Sequence, residues 1–302
     1  MPLRLLLSTV VLALLAPACG AAPPPTRHPA EPALAVLQEI RSGRQVTLTL
    51  RSPALRGTAT AEVLLPAGWR PGTRWPVLYL LEGCCHTRIE WITLGRAGEL
   101  TEDAGVIVVI PEGGRAGFYS DWVNGPKWET FHLTELRRLI ETRYGATDRR
   151  AIAGLSMGGF GALSYAARHP GMFRAAASFS GLTDVSRADA DWITRQSGEN
   201  SHDLWRDQDI PLRNPMALVA RLRDIPVYVS CGNGEKGPLD PEGTPKDEGE
   251  AVIERQNRAF VAAARAAGVK VTANLYGPGT HSWPYWTREL RRALPLLLGE
   301  LR

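Results

Sequence analysis

Apolar positions along the chain follow two rhythms. Gln45–Leu50 and Thr58–Leu65 alternate apolar and polar residues, and Arg51–Gly57 links them. That period predicts an antiparallel pair of half-buried strands. Later runs are continuously apolar: Pro76–Leu81, Val106–Ile110, Ala151–Ala153, Ala175–Phe179, Val227–Ser230 and Val271–Tyr276. Such runs suit strands covered on both faces. Segments of helical period lie between them. Trp128–Tyr144 sets Leu133, Leu136, Ile140 and Tyr144 on one face, and Met157–Arg168 is rich in small residues. Ala251–Ala267 sets Ile253, Asn257, Phe260 and Ala264 on one face, and Tyr285–Leu298 closes the chain. Strands alternating with helices predict right-handed crossovers and an α/β fold, a mostly parallel sheet with helices on both faces. The polar segment 182–224 interrupts the alternation and is expected to cap the carboxyl edge of the sheet. A long polar loop, GNGEKGPLDPEGTPKDEG, fills 232–249; loops of that length in compact domains are often functional.

The amino terminus has a different pattern. Arg4, the apolar run Leu5–Ala16 and the small residues Ala16-Pro17-Ala18 read as a secretory signal over 1–18. The apolar run is too short to span a bilayer, which takes about 20 residues. Cys19 directly after the cleavage site offers a second outcome, a lipid anchor. Residues 19–40, which include AAPPPTRHPAEP, read as a flexible Pro/Ala tether. That leaves 41–302 as a single domain with no visible internal repeat.

Composition narrows the function classes. The chain has 302 residues, of which 44% are hydrophobic and 22% charged, so it can bury a large core. Net charge is +4, carried mainly by 31 scattered Arg against 4 Lys. No basic stripe argues for a nucleic-acid partner. No CxxC or HxxxH pair offers a metal site among the four Cys and six His.

The chemistry gathers around Gly154-Leu155-Ser156-Met157-Gly158, between a short strand and a small-residue helix. That is the context of a G-x-S-x-G nucleophile elbow, with Ser156 exposed at the top of the sheet. A plain turn of small residues would also carry this motif. A serine needs a base. His28 falls in the tether, His132 in a helix, His169 at a helix end and His202 in the cap. His86 follows a sheet strand but precedes Ser156. His281, in Gly279-Thr280-His281-Ser282-Trp283 after the last strand, has the chain position an α/β-hydrolase base requires. The orienting acid should lie between Ser156 and His281. Glu235 and Asp240 are candidates, with Asp247, Glu248 and Glu250 further along; spacing does not choose among them. Oxyanion donors are expected from the backbone N–H groups of Met157 and Cys84, with Gly83 allowing close approach.

These residues resemble a known family. Phe118-Tyr119-Ser120-Asp121-Trp122, Lys127-Trp128-Glu129-Thr130-Phe131 and Gly154–Gly158 are similar to segments of the antigen 85 mycolyltransferases and their esterase D relatives. So are Cys231-Gly232-Asn233-Gly234, Gly279–Trp283 and Tyr285-Trp286, all in the same order over about residues 60–300. The resemblance implies an α/β-hydrolase fold of about eight strands, a secreted serine acyl-enzyme and no cofactor. It also implies Glu250 as the acid, because the family's Glu stands seven residues before an Asn, as Glu250 does before Asn257. Glu82 and Trp283 are the substrate-binding positions it suggests. The chain departs from the family at Glu82-Gly83-Cys84-Cys85, where the mycolyltransferases have Asp-Gly-Leu-Arg. Their insertion before Lys127 is also absent. The sugar-site Arg is thus missing, which favours a general esterase acting on small-molecule, lipid or glycolipid esters at the cell envelope.

Two other outcomes are carried forward. One is acyl transfer to a sugar or glycerol hydroxyl. The other is a non-catalytic glycan- or lipid-binding surface protein, using Trp122, Trp192, Trp205 and Trp283 as exposed contacts. A cytosolic thioester hydrolase is disfavoured by the signal. The adjacent Cys84 and Cys85 are not expected to pair with each other, since neighbouring side chains seldom reach disulfide geometry. Cys231 is the alternative partner, and three small free thiols are the plainer expectation.

Overall fold

The computed structural model describes residues 33–85 and 87–302; the signal, most of the tether, Cys19 and His86 lie outside the described residues. Nine strands form one sheet: β1 Ala35–Ser42, β2 Gln45–Ser52, β3 Gly57–Leu64, β4 Trp75–Leu81, β5 Ile107–Pro111, β6 Ala146–Leu155, β7 Ala175–Phe179, β8 Val227–Cys231 and β9 Val271–Leu275. Their order is β1-β2-β3-β5-β4-β6-β7-β8-β9. The β1-β2, β2-β3 and β3-β5 pairs are antiparallel, and the five pairs from β5-β4 to β8-β9 are parallel. This is the mostly parallel α/β-hydrolase sheet that the apolar runs predict.

The tether boundary needs correction. Residues 35–40, expected within it, belong to β1 and pair with β2 from Ala35↔Arg51 to Ser42↔Gln45. Gly43 turns the hairpin at φ 58°, a conformation that costs glycine little. β1 is almost wholly exposed, so its apolar content gave no burial signal. Pairing on the edge of β2, rather than a core, fixes it.

Five longer helices cover the sheet: α1 Arg137–Tyr144, α2 Met157–Arg168, α3 Arg187–Ser197, α4 Glu248–Ala266 and α5 Trp283–Gly299. The helix expected over Trp128–Tyr144 is one rod in three parts, because a π-helical stretch over Phe131–Leu136 precedes α1. Within that stretch His132 is buried between Tyr165 Oη (3.0 Å from Nδ1) and the Glu112 carbonyl (2.7 Å from Nε2). Burial pushes its pKa down to about 4, so it is a neutral core residue.

Two cores lie on the two faces of the sheet. On β4, Val77, Tyr79 and Leu81 enter one, and Leu78 and Leu80 the other. The period of two explains this split. The first core takes α1, α2 and α4; the second takes Trp91 and the apolar side of α5, including Trp286, Leu290 and Leu294. The parallel strands all end at one edge, where the loops after β4, β6, β7 and β8 converge.

Candidate active site

The β6-to-α2 turn is a sharp elbow. Ser156 sits at φ 53°, ψ −121°, outside the regions that L-residues favour. Such a backbone costs about 1–3 kcal/mol and persists only where its surroundings hold it. Here the Ser156 N–H donates to the Phe179 carbonyl at 2.9 Å, and its own carbonyl accepts from Phe160 N–H at 3.1 Å. Glycine is required beside it. A Cβ on Gly158 would meet the Leu81 carbonyl oxygen at 2.4 Å, and one on Gly83 would meet Leu155 Cδ1 at 2.6 Å and Ser156 Cβ at 3.3 Å. The elbow and the loop after β4 are therefore pressed together.

That contact brings the expected oxyanion donors to the serine. Met157 is the first residue of α2, so its N–H has no acceptor within the helix. Cys84 lies next to Gly83, and its N–H makes no hydrogen bond among the described residues. Both N–H groups and the positive end of α2 are suited to a developing oxyanion.

His281 is held by two acids. Its Nδ1 lies 2.6 Å from Glu250 Oε2, and its backbone N–H donates to Asp247 Oδ2 at 2.9 Å. Glu250 is fully buried at the start of α4. Its Oε1 accepts from Ser180 Oγ at 2.7 Å, Gly232 N–H at 2.8 Å and Cys231 Sγ at 3.2 Å. Those donors fix the carboxyl, and the carboxyl fixes the imidazole. With Nδ1 carrying the proton toward Glu250, Nε2 is left as the acceptor. The Trp286 ring meets the imidazole edge-on, with centroids 4.8 Å apart.

The competing acids have other tasks. Asp240 accepts from Thr280 Oγ1 at 2.5 Å, Gly237 N–H at 2.8 Å and Tyr285 Oη at 2.9 Å, and so braces the His281 loop from behind. Glu235 and Glu248 are exposed carboxylates 3.7 and 3.3 Å from Lys246 Nζ. Asp247 is the N-cap of α4, its Oδ1 accepting from Glu250 N–H at 2.9 Å.

Ser156 and His281 open into one cleft of about 810 Å³. One wall is a face of α3, with Asp189, Trp192, Ile193 and Gln196 at helical spacing; the other is the first turns of α4, with Asp247, Glu248, Val252 and Ile253. Cys84, Cys85, Leu182 and Trp286 complete the lining. The segment expected to cap the sheet edge supplies α3 and does so. Both ends of the long polar loop also reach the site, through Gly232 and Asp247.

The two expected substrate-binding residues are not in this lining. Glu82 is buried beneath the loop after β4, where Oε1 accepts from Gly113 N–H at 2.6 Å. Burial pushes its pKa up to about 8. Its side chain thus supports the loop from the far side. Trp283 packs edge-on against Trp91 and Trp286 and donates to Glu90 Oε2 at 3.1 Å. Trp286 takes the place in the cleft that the sequence suggested for Trp283. Of the four tryptophans expected on the surface, Trp122 and Trp205 are buried, Trp283 is half-buried, and only Trp192, 60% exposed, stands free. Within the cap segment Trp205 packs inward, against Phe118 and Phe160.

The cysteines also differ from expectation. Cys84 and Cys85 are joined to each other, and Cys231 is free and buried. Side chains of an extended chain alternate sides; here Cys85 turns at φ 65°, which removes that alternation. Burial and the nearby Glu250 carboxyl push the Cys231 thiol pKa up, so it is held as a neutral donor. Sequence reasoning missed Ser180, whose role depends on a β7 turn at φ 45° and carries no motif. Asp247 was detectable as an N-cap residue before the apolar face of α4.

Known proteins share this arrangement of fold and sequence. The family model described as putative esterase matches residues 52–297. The chain is 32% identical over 247 residues to the diacylglycerol acyltransferase/mycolyltransferase Ag85A of Mycobacterium ulcerans, covering 74% of this chain and 73% of that protein. It is 35% identical over 231 residues to the corresponding Ag85B of Mycolicibacterium smegmatis, covering 68% and 70%. Among solved structures, a ferulic acid esterase superposes with a TM-score of 0.66 at 28% identity, over 85% of this chain and 98% of that one. An S-formylglutathione hydrolase from Agrobacterium tumefaciens shares the fold, with a TM-score of 0.71 at 19% identity over 88% and 99%. The chain belongs to the putative esterase family, ester-acting enzymes built on the α/β-hydrolase fold.

Proposed function

We propose that the protein is an exported serine esterase working through Ser156, His281 and Glu250. The observation that carries this reading is the 2.6 Å contact between His281 Nδ1 and the buried Glu250 carboxyl, beside a serine on a strained elbow in the same cleft. Ser156 Oγ attacks the ester carbonyl while His281 Nε2 takes its proton. The Met157 and Cys84 N–H groups hold the oxyanion as the tetrahedral intermediate forms. His281 then gives the proton to the leaving alkoxide, and the acyl group stays on Ser156. Water, deprotonated by His281, releases the acid. Glu250 orients the imidazole and stabilises its charged form. Residues 1–18 direct the chain out of the cytoplasm, and Cys19 is where a lipid anchor would attach.

Transfer to a hydroxyl acceptor is the second reading, favoured by the acyltransferase names of Ag85A and Ag85B. It differs only in what meets the acyl-enzyme. The loop Glu82-Gly83-Cys84-Cys85 lacks an Arg to hold a sugar, which favours water. A non-catalytic binder is disfavoured, because a strained elbow serves no binding purpose and a single exposed Trp192 makes a poor aromatic platform. Ser156→Ala is expected to abolish turnover of p-nitrophenyl esters and covalent labelling by a fluorophosphonate. Labelling that persists in this variant would remove Ser156 from the mechanism. Supplying glycerol or trehalose during turnover, and measuring ester product against free acid, separates transfer from hydrolysis.

A further inference from the structure

We propose that the Cys84–Cys85 disulfide is a positioning element of the oxyanion hole, so that the acyl-enzyme chemistry proposed above requires this pair to be oxidised. The proposal rests on that reading of the site and adds a redox condition to it. The bond closes a small ring through the Cys84–Cys85 peptide. The ring restricts ψ of Cys84 and φ of Cys85, and so fixes the Cys84 Cα, which carries the N–H group, relative to Cys85. The loop is anchored on both sides of the ring. Gly83 is pressed on Leu155 and Ser156, and the Cys85 N–H donates to the Arg115 carbonyl at 3.0 Å. Between those anchors the Cys84 N–H has no hydrogen bond of its own among the described residues. Its place is therefore set by the ring that holds the Cys84 Cα and by the packing of Gly83 on the other side.

Global stability does not explain the pairing. A disulfide stabilises by closing a loop of the unfolded chain, and adjacent residues close the shortest loop there is. The free-energy gain is accordingly at its smallest, and the effect has to be local. Both residues line the cleft, and Cys85 is exposed, so a small dithiol can reach the bond. Reduction transfers two electrons and two protons. The dithiol becomes a cyclic disulfide, and Cys84 and Cys85 become thiols. The Cys84 Cα is then no longer held against the anchored Cys85, and the oxyanion donor attached to it loses its fixed position.

The test uses the full chain, oxidised and then treated with dithiothreitol, with excess reductant removed. Intact mass and alkylation report the redox state. Among the described residues this is the one disulfide, and the third thiol, Cys231, is buried. Reduction is expected to lower kcat on a p-nitrophenyl ester by about tenfold to a hundredfold, short of losing the donor outright. KM should change by less than about threefold, because ground-state binding does not use the oxyanion donor. The melting temperature should move little, and reoxidation should restore the rate. Cys84→Ala/Cys85→Ala is expected to show the reduced rate permanently and to ignore dithiothreitol. Equal kcat in verified oxidised and reduced protein would overturn the proposal, as would finding Cys84 and Cys85 alkylatable in air-oxidised protein. A loss of activity that follows unfolding, read by circular dichroism, would also overturn it. Failure of the esterase reading looks different: neither redox state would turn over ester or take up fluorophosphonate.

Discussion

The Asp247 carboxylate accepts the backbone N–H of His281 at 2.9 Å, while its other oxygen caps α4 at the N–H of Glu250, also at 2.9 Å. One side chain thus ties the loop that carries His281, the proposed base, to the helix that carries Glu250, its proposed acid. Asp247→Ala is expected to lower kcat by about tenfold or more through the loosened His281–Glu250 pair. Loss of the cap should cost about 1 kcal/mol in stability as well. Asp247→Asn retains only one acceptor oxygen. It should keep most of the stability, because Asn is a good cap, but not the full rate. Paired melting curves and kcat values distinguish the two effects.

Glu250→Gln should lower kcat by about 10³–10⁴-fold, as expected when the residue that fixes the histidine tautomer loses its charge. Asp240→Asn should cost far less in rate, because Asp240 braces Thr280 and Tyr285 and does not touch the imidazole. Steady-state kinetics on the two variants check the assignment. The opposite ranking would transfer the acid's role to Asp240.

Glu82 predicts a pH dependence of stability. Its pKa is about 8 in the folded protein against an ordinary 4.5. Between those values the folded state keeps a proton that the unfolded chain has released. Stability contributed by this group is therefore full below about pH 4.5 and falls as pH rises toward 8, at up to roughly 1.4 kcal/mol per pH unit. Glu82→Gln should remove that slope. His132, neutral with a pKa near 4, adds the opposite slope below its ordinary value of 6.5. Urea midpoints measured from pH 6.5 to 8 therefore isolate Glu82; an unchanged slope in the variant would refute the assignment.

Trp192 projects from α3 into the cleft with 60% of its surface exposed, so the fold gains little from it. Trp192→Ala should leave the melting temperature unchanged. It should raise KM for esters of longer acyl chains by about tenfold, the equivalent of losing one apolar contact surface. Acetyl esters, which have no chain to lay on Trp192, should be affected least. An acyl-length series on both proteins measures this difference.

Much of this was legible in the chain. Continuous apolar runs marked strands covered on both faces, and the helical periods between them fixed a parallel sheet with two cores. The elbow was legible because G-x-S-x-G stood between strand and helix, and His281 because it followed the last strand. β1 was not, because an exposed edge strand is held by backbone pairing and leaves no apolar signature. Nor was the inward packing of Trp122 and Trp205, since nothing in an aromatic residue's local sequence reveals which core it enters.

The sequence by itself determined the parallel sheet, the order of Ser156 and His281 along the chain, and the glycines that let the elbow approach the loop after β4. Those features depend on periodicity and on residues with special backbone freedom, both of which are local. Residue spacing left the acid open and the family resemblance pointed to Glu250; tertiary structure decided which carboxyl meets the imidazole. Six acids lie between residues 235 and 250, and folding separates Glu250, buried against His281, from Asp240 behind the loop and from the others. It also decided that Cys84 pairs with Cys85, that Glu82 faces inward and that Trp286, not Trp283, borders the histidine. In each case the deciding quantity is a distance between side chains set by how segments pack, which no local pattern encodes.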